Sequence, residues 1–418
     1  MTNQPPESTS QTDSRIDLIY FDAGGGHRAS ATALISAARQ QHRSWHINLI
    51  NLRVLLEPAD MLRRLTGVRI EDFYNSQLKH GLTIGTGPLL RITQMLIRQL
   101  EPTIIKLLAR HWQRSRAALV VSMIPNFNHA ILQGLRQADA MQRRSETPMV
   151  TILTDLADCP PHFWIERQKQ YLVCGTAAAT EQAIAMGHAP ERVFRTSGMI
   201  VRPEFYRPIE MNREAERARL GLDPKLPTGI VMFGSYGSSE MATIAKRIET
   251  AGLKTQLIFI CGHNDKLLER IESMELSYPF HCVGFTQEIP YYMKLADFFI
   301  GKPGPGSISE ALVMGLPLIV ERNVWTMVQE RFNTDWIAQN GFGIVLPSFR
   351  EIGGAISSML DREQFMRLRG NVGAYENRAV FEIPEILEGL ISSHRTANWS
   401  FGRTATARQF ASEIHYGV

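Results

Sequence analysis

The segment IDLIYFDAGGG, residues 16–26, decides the fold of this chain. A short and largely apolar run ends in three glycines, and a helical pattern begins at His27. A strand, a glycine turn and a helix in this order open a βαβ unit. The same elements return at residues 229–239, GIVMFGSYGSS, where a strand enters a Gly/Ser turn ahead of a second helical stretch.

Further apolar runs of strand length continue both units. The runs at residues 117–122 and 149–154 are continuous rather than alternating, which is typical of parallel strands covered on both faces. Others lie at residues 45–49, 256–261, 280–283, 298–300 and 317–321. Strands that alternate with helices in two successive runs predict an α/β protein of two Rossmann-like, doubly wound domains. The junction is expected near residues 203–213, where prolines and charged residues interrupt the pattern.

Length and composition are those of an ordinary globular protein. The chain has 418 residues, enough for two domains, with 44% apolar and 21% charged residues. Its net charge of +4 does not by itself indicate a nucleic-acid partner. The four cysteines show no metal-binding spacing, so free thiols in a reducing compartment are expected. Residues 1–14 predict a disordered leader without signal-peptide features, and no apolar run is long enough for a membrane-spanning helix.

The stretch between the second strand and Ala117 lacks an obvious strand and is longer than a crossover needs. Within residues 79–116 the only acidic residue is Glu101. The basic residues there are Lys79, Arg91, Arg98, Lys106, Arg110, Arg114 and Arg116, and the apolar residues at roughly helical spacing are Leu89, Leu90, Ile92, Met95, Leu96, Leu100, Ile104, Ile105, Leu107 and Leu108. Two interpretations are open: a helix on an anionic membrane surface, or a core-packed helix with a solvated basic side. The one-signed charge favours a membrane-facing insertion at about residues 55–116.

The glycine turn before His27 is suited to a ligand. Glycines allow close approach of the backbone, and a helix N-terminus offers free N–H groups and a partial positive charge. That charge disfavours protonated His27, so a neutral imidazole is available as a general base near pH 7. The alternative is a histidine that only caps or packs. Gly24, Gly26 and Ala29 also satisfy G-x-G-x-x-A, but no acidic residue follows before Glu57, which disfavours NAD.

A second glycine turn precedes the helix that begins near Pro305. Its residue order is not that of a Walker motif. The N–H groups at Gly304 and Gly306, with the hydroxyl of Ser307, are nevertheless suited to a diphosphate. Glu310, on the first helical turn, is suited to accept two ribose hydroxyls. Its alternative role is to stabilise the helix N-terminus by its charge alone.

Polar side chains after the strand at residues 317–321 form a third group of candidates. Gln329, Glu330 and Asn333 provide both donors and acceptors, which the recognition of sugar hydroxyls requires. The alternative is that they form only a solvated helix face.

Several ordered segments resemble one family. GGGHRAS at residues 24–30 and KPGPGSISEAL at residues 302–312 resemble the two signatures of the monogalactosyldiacylglycerol synthases. These enzymes belong with the peptidoglycan lipid-intermediate N-acetylglucosaminyltransferases in glycosyltransferase family 28. Residues 198–203 resemble the G-x-P-[IV]-R-P motif of this family, residues 261–264 its C-G-x-N motif, and Gln329-Glu330 its donor-sugar pair. The resemblance extends over roughly residues 16–345.

The resemblance implies the GT-B fold, in which two Rossmann-like domains face each other across a cleft. The acceptor-binding domain would comprise residues 15–205 and the UDP-sugar-binding domain residues 206–375. Residues 376–418 would form a helix that crosses back and a tail, with residues 383–392 as the candidate helix. The implied reaction is inverting transfer of a hexose, galactose favoured and glucose possible, from a UDP-sugar to a diacylglycerol-type lipid, giving a β-glycolipid.

The resemblance also implies roles for individual residues. His27 would be the base or its aide, Arg202 a diphosphate contact and Glu310 the ribose ligand. The other donor-side residues are Gly234, Ser235, Gly284, Phe285, Gly304, Gly306, Ser307, Gln329 and Glu330, and those on the acceptor side are Gly25, Gly26 and Pro125. The main chain at residues 284–285 would hold the uracil. No cofactor, obligatory metal or nucleic acid is expected, and the enzyme would be cytoplasmic, peripheral on the inner face of the cytoplasmic membrane.

Departures from the family pattern leave the substrates open. Met199 and Ile200 replace the usual Leu and Pro, Ile124 precedes Pro125 where the family has His-Pro, and the loop at residues 323–326 is unusual. Transfer of N-acetylglucosamine to a polyprenyl-linked lipid is therefore an alternative. A UDP-sugar 2-epimerase would need several carboxylates in the cleft. A nucleotide-sugar-binding protein without activity is disfavoured by the presence of His27 and of an acidic ribose ligand.

Overall fold

The computed structural model describes residues 14–21, 26–56 and 86–395, and of residues 86–93, 96 and 395 it describes the backbone only. Residues 1–13 of the expected leader, residues 57–85 of the expected insertion and the tail from residue 396 lie outside the described residues. The last residue of the expected leader, Ser14, already belongs to the first strand.

The first half of the chain is built around a six-stranded sheet. Its strands are β1 (Ser14–Tyr20), β2 (Trp45–Asn51), β3 (Leu119–Ser122), β4 (Met149–Ile152), β5 (Tyr171–Cys174) and β6 (Val193–Arg195). The helices described between them are α1 (Gly26–Gln40), α2 (Leu52–Leu56), α3 (Thr86–Ser115), α4 (Asn128–Met141) and α5 (Ala177–Ala185).

The second half repeats this plan. Its strands are β7 (Thr228–Met232), β8 (Gln256–Gly262), β9 (Phe280–Gly284), β10 (Phe298–Gly301), β11 (Leu318–Glu321) and β12 (Gly343–Leu346). Its helices are α6 (Arg213–Arg219), α7 (Glu240–Ala251), α8 (Asp265–Glu272), α9 (Ile289–Leu295), α10 (Pro305–Val313), α11 (Val328–Gln339), α12 (Ile352–Leu360) and α13 (Arg362–Ala374), and α14 (Ala379–Arg395) follows.

Strand order in each sheet determines where a ligand can bind. The orders are β2-β1-β3-β4-β5-β6 and β9-β8-β7-β10-β11-β12, and neighbouring strands pair in parallel. Both are doubly wound, and their order reverses between β1 and β3 and between β7 and β10. Ligands of such sheets bind in the crevice outside the carboxyl ends of the strands at this reversal. The predicted fold class, two doubly wound α/β domains, is confirmed.

Continuous burial along the strands explains why their sequences do not alternate. All five residues of β7 and all seven of β8 are buried, because helices cover both faces of the second sheet. Every predicted strand is present, with ends displaced by a few residues. The strands β5, β6 and β12 were not predicted.

Helix α14 packs against the first domain although it follows the second in sequence. Its side chains Ile383, Leu387 and Leu390 are buried in the same core cluster as Leu34 of α1. The indole N–H of Trp45 donates a 2.8 Å hydrogen bond to Glu388 on this helix. The end of the described chain therefore completes the core of the first sheet.

Helix α3 has an apolar side that packs on α4 rather than facing outwards. Ile104, Leu108 and Trp112 are buried, and a Cβ atom at Gly134 of α4 would lie 2.7 Å from the Cβ of Leu108. The expectation that the apolar residues of this helix face a membrane is therefore wrong for Ile104 and Leu108, because α4 covers them.

The opposite side of α3 is basic and exposed. Its exposed residues include Arg98, Lys106, Arg110 and Arg114, whereas the side chain of Arg91 lies outside the described residues. None of the helices in the described part of the chain has the length and apolar character that crossing a bilayer requires.

Candidate active site between the two sheets

The carboxyl ends of β1, β3 and β4 face those of β7 and β10 across a cleft. Two contacts join the facing edges: the Cys159 thiol donates to the carbonyl of Val328 at 3.7 Å, and Arg202 Nε lies 3.9 Å from Glu310 Oε1. Both strand-order reversals therefore open into the same space. A ligand held by one sheet can reach a ligand held by the other.

His27 lies at the reversal of the first sheet, as the second residue of α1. Its Nδ1 is 3.1 Å from the hydroxyl of Thr154, and the Met123 carbonyl accepts a hydrogen bond from its ring. Trp164 packs beside it, with ring centroids 5.9 Å apart. Burial lowers the pKa of His27 to about 4, so the imidazole is neutral at pH 7. The predicted preference of His27 for its neutral form is confirmed, but the leading cause of the lowered pKa is burial rather than the helix N-terminus.

The other acceptor-side residues lie around His27 where they are described. Gly26 begins α1, and Gly25 lies outside the described residues. Pro125 follows β3 and precedes Asn126, whose φ of 65° lets its N–H donate to Phe163 at 2.7 Å. The Asn126 side chain also accepts a 3.0 Å hydrogen bond from Gln94 of α3. Pro125 is thus held between α3 and the loop that carries Trp164.

The loop at residues 158–164 is held rigidly by one buried carboxylate. Asp158 accepts hydrogen bonds from the main-chain N–H groups of His162 and Trp164 at 2.9 and 2.6 Å. Asp155, three residues earlier, instead accepts a bond from the indole N–H of Trp164 at 2.8 Å. Within the described residues no cluster of His, Cys, Asp or Glu has the arrangement of a metal site.

The turn after β7 belongs to the reversal of the second sheet. Gly234 has a φ of 78°, a conformation that favours glycine, and Ser235 follows it. The carbonyl of Ser235 accepts a 2.8 Å hydrogen bond from the N–H of His263, which follows β8. The Asn264 side chain caps α8 and donates to the Tyr236 carbonyl at 3.1 Å. The residues of the C-G-x-N motif thus hold the loop after β8 against the loop after β7.

The N-terminus of α10 lies at the end of β10, beside this turn. Gly304 is the N-cap residue and provides no side chain to satisfy the first N–H groups, and Pro305 begins the helix. A Cβ atom at Gly306 would meet no protein atom within 4 Å, so its backbone borders open space. Ser307 and Glu310 follow at helical spacing on one side. The arrangement is that of an anion-binding helix terminus with a carboxylate beside it.

Glu310 is half-buried and its only described salt-bridge partner is Arg202. Burial raises the pKa of Glu310 to about 7, and the Arg202 charge opposes that rise. Arg202 comes from the segment that links the two domains, and its Nη1 is also 3.5 Å from the carbonyl of Gln287. The structure therefore places the expected diphosphate contact and the expected ribose ligand side by side.

The expected sugar contacts lie on the first turn of α11. Glu330 is buried and its Oε1 is 3.5 Å from the Lys302 ammonium, and Gln329 lies beside it. Asn333 is fully buried and donates to the Pro303 carbonyl at 2.8 Å. The expectation that Asn333 contacts a sugar is therefore wrong, because its amide holds the loop that carries Lys302.

The expected uracil site has an exposed aromatic surface. Gly284 ends β9, and the ring of Phe285 stacks on that of His263 with centroids 3.9 Å apart and planes 16° apart. Tyr236 lies 5.9 Å from His263. Sequence reasoning missed His263 as part of this surface, although it lies inside the C-G-x-N motif. It also missed Thr154 and Trp164, which no motif marked, and it gave Asp155 no role because the spacing to Asp158 is not that of a metal-binding pair.

Comparisons with known proteins agree with this geometry. The model of the glycosyltransferase family 28 C-terminal domain matches residues 230–323, which include the turn after β7 and the start of α10. The chain is 29% identical over 360 residues to the chloroplastic monogalactosyldiacylglycerol synthase of Spinacia oleracea, covering 83% of this chain and 66% of that protein. It is 27% identical to monogalactosyldiacylglycerol synthase 1 of Arabidopsis thaliana, covering 82% and 64%. It therefore spans less than two thirds of the length of these relatives.

The chain is similar to the monogalactosyldiacylglycerol synthases over most of its length. The resemblance drawn from the motifs is thereby confirmed. Its fold is that of GT-B glycosyltransferases of known structure. MurG of Acinetobacter baumannii superimposes with a TM-score of 0.56 at 10% identity, covering 90% of this chain and 99% of MurG. HepE of Anabaena, in complex with UDP, superimposes with a TM-score of 0.54 at 15% identity, covering 91% and 100%.

In this chain the predicted residues divide between the two reversals. His27, Gly26 and Pro125 lie at the first, and the donor-side residues lie at the second or at its margin, on β9 and α11. Arg202 lies between them. Every described residue predicted for the site is thus at the cleft or on an element that borders it.

Proposed function

We propose that this protein is an inverting glycosyltransferase that moves a hexose, galactose favoured and glucose possible, from a UDP-sugar to a diacylglycerol-type lipid. The observation that carries the proposal is a neutral His27 at the reversal of the first sheet, in the cleft that the anion-binding end of α10 and the carboxylate of Glu310 border from the second domain. The names of the sequence relatives support galactose and diacylglycerol over other substrates.

His27 would act as the general base in a single displacement. The acceptor hydroxyl attacks the anomeric carbon of the sugar and gives its proton to the imidazole. The bond from that carbon to the diphosphate oxygen breaks, and its electron pair leaves with UDP. Attack on the face opposite the departing UDP turns an α-linked donor into a β-glycoside.

We also propose that no metal ion is required. The N–H groups at the start of α10 and the guanidinium of Arg202 supply positive charge where the diphosphate departs. Glu310 would accept the ribose hydroxyls, and Gln329 with Glu330 would contact the sugar.

Membrane contact is proposed to be electrostatic and peripheral. A diacylglycerol acceptor stays in a bilayer, so the enzyme must meet it there. The exposed basic side of α3 is suited to anionic headgroups, and it belongs to the domain proposed to hold the acceptor. A position on the inner face of the cytoplasmic membrane fits this proposal.

A product assay tests the reaction. We expect purified protein, given UDP-galactose, UDP-glucose or UDP-N-acetylglucosamine with diacylglycerol vesicles, to form a hexosyl-diacylglycerol detected by mass spectrometry, with activity retained in EDTA. A hexosaminyl product formed only with a polyprenyl-linked muramyl lipid as acceptor would identify the alternative transferase. An isomerised UDP-sugar formed without any lipid would identify an epimerase.

Replacing His27 with Ala is expected to lower kcat by at least about 100-fold, the usual scale for the loss of a general base. The Kd for UDP should stay the same, because His27 lies in the other domain. The exposed His46→Ala on β2 is the matched control and should retain activity. If His27→Ala turned over substrate as fast as wild type, His27 would have no chemical role.

The affinity for UDP is expected to rise with pH through about 7. Because burial raises the pKa of Glu310 to about 7, this carboxyl is protonated at lower pH, and ribose hydroxyls donate best to the ionised form. Below the pKa the affinity should fall by up to about tenfold per pH unit. Calorimetry at pH 6, 7 and 8 measures this change, and Glu310→Gln should bind more weakly and lose the part of the pH dependence that Glu310 contributes. Identical pH profiles for the two proteins would contradict the placement of Glu310.

Charge reversal on α3 is expected to abolish membrane binding. A variant with Arg91, Arg98, Lys106 and Arg110 replaced by Glu should no longer sediment with phosphatidylglycerol vesicles, while its Kd for UDP stays unchanged. Wild-type sedimentation should weaken as salt rises, since screening shortens the range of the attraction.

The matched control makes the same change in net charge on the other domain. It replaces four exposed residues, Arg350, Arg362, Arg367 and Arg369, with Glu. This control should still sediment with the vesicles. Equal sedimentation of the α3 variant and wild type would show that α3 is not the docking surface.

A further inference from the structure

Asp155 is a carboxylic acid at the cleft to which the proposed reaction gives no role. It follows β4 directly after Thr154, whose hydroxyl contacts His27. Its Oδ2 accepts a 2.8 Å hydrogen bond from the indole N–H of Trp164, the buried ring beside His27. Asp155 is therefore fixed next to the group proposed to receive the proton of the acceptor hydroxyl.

The charged neighbours of Asp155 across the cleft belong to the sugar end of the donor site. The charges of Glu330 and Lys302 both act on this carboxyl, with opposite signs. These two side chains are paired with each other at 3.5 Å. A sugar in contact with Gln329 and Glu330 would lie between α11 and Asp155.

Asp155 differs from its neighbour Asp158 in how its oxygens are used. Asp158 is buried and accepts main-chain N–H groups of the loop that it holds together. Asp155 is half-buried, and in the described part of the chain its hydrogen bond to Trp164 occupies Oδ2 while Oδ1 has no partner. A carboxyl oxygen without a partner, beside residues that contact a sugar, is suited to accept a hydroxyl.

We propose that Asp155 is a specificity-determining residue of the first domain that accepts a hydrogen bond from a hydroxyl of the transferred sugar. The sugar would then be held from both sides of the cleft, by α11 and by the loop after β4. This inference rests on the proposed function, since it requires a UDP-sugar in the cleft.

Proton release on binding provides a specific readout. Burial raises the pKa of Asp155 to about 7; the Trp164 hydrogen bond opposes the rise, Glu330 and Asp158 add to it, and Lys302 opposes it. A hydroxyl that donates to Asp155 favours its ionised form, so sugar binding expels a proton near pH 7. Glu310 contacts the same ribose in wild type and in Asp155→Asn. Its contribution, and that of the terminal phosphate that only UDP carries, therefore cancel when the two proteins are compared on the same ligand.

The experiment compares UDP with UDP-galactose and UDP-glucose by calorimetry at pH 7 in two buffers of different ionisation enthalpy. We expect wild type to release more protons than Asp155→Asn on binding a UDP-sugar, and the two proteins to release equal numbers on binding UDP. The KM of Asp155→Asn for the UDP-sugar should rise roughly 10- to 100-fold, the scale for a hydrogen bond to a charged group. Its Kd for UDP should stay within about twofold, since UDP lacks the sugar.

Two further variants separate this role from a structural one. Trp164→Phe keeps the ring but removes the indole donor, so the pH of greatest extra proton release should move upwards. The exposed Glu363→Gln on α13 is the matched control and should behave as wild type. Asn at 155 can still accept from the indole. The folded protein disfavours the charged form of Asp155, so wild type should lose stability as pH rises through about 7. Asp155→Asn cannot become charged and should keep that stability. It should therefore melt at or above the wild-type temperature at pH 8.

Equal proton release by wild type and Asp155→Asn on binding a UDP-sugar, or an unchanged KM in Asp155→Asn, would overturn the inference while leaving the transferase proposal intact. Wild-type protein that binds UDP but neither UDP-sugar would contradict the proposed function, and this inference with it. An Asp155→Asn variant that melts well below wild type at pH 8 would show that the carboxyl is structural.

Discussion

The reversal of strand order in each parallel sheet is the constraint on which the site depends. A parallel strand must be followed by a crossover, and where successive crossovers lie on opposite faces, the loops after two adjacent strands diverge and leave a crevice. In the first sheet that crevice lies between β1 and β3, and in the second between β7 and β10. Both glycine turns recognised in the sequence stand there, so the chemistry follows from topology before any side chain is considered.

Burial is used differently at the cleft and in the cores. In the first core, burial alone would raise the pKa of Asp17, but the nearby His111 ring and hydrogen bonds from Ser115 and Asn48 lower it. At the cleft, His27 and Glu310 are half-buried with few such partners, so desolvation shifts their pKa values in the direction that favours the neutral form. Groups with pKa values shifted in this way are typical of functional sites.

The sequence was sufficient to predict the elements that a few consecutive residues identify. Apolar runs of three to six residues predicted the central strands, and glycine turns marked both reversals. The edge strand β6, with three residues and none buried, leaves no such run. The contact between Trp164 and His27 could not be predicted, because it depends on Asp158 holding a loop of irregular backbone. The apolar residues of α3 were ambiguous because a helix buries one side both on a membrane surface and in a protein core. Only the position of α4 shows that this side is buried in the core.

The distance between the two reversals is set at one place, where the chain crosses twice between the domains. The Asn377 amide donates to the Met199 carbonyl at 3.0 Å, and the N–H of Arg378 donates to Ser197 at 2.7 Å, so the two crossings are bound to each other. A Cβ atom at Gly198 would overlap the side chains of Tyr375 and Asn377, which explains the glycine that opens the motif at residues 198–203. The same motif carries Arg202 to Glu310. The segment that joins the domains thus also places the Arg202 guanidinium beside Glu310, so the geometry of the cleft and the charge proposed to bind a diphosphate depend on the same few residues.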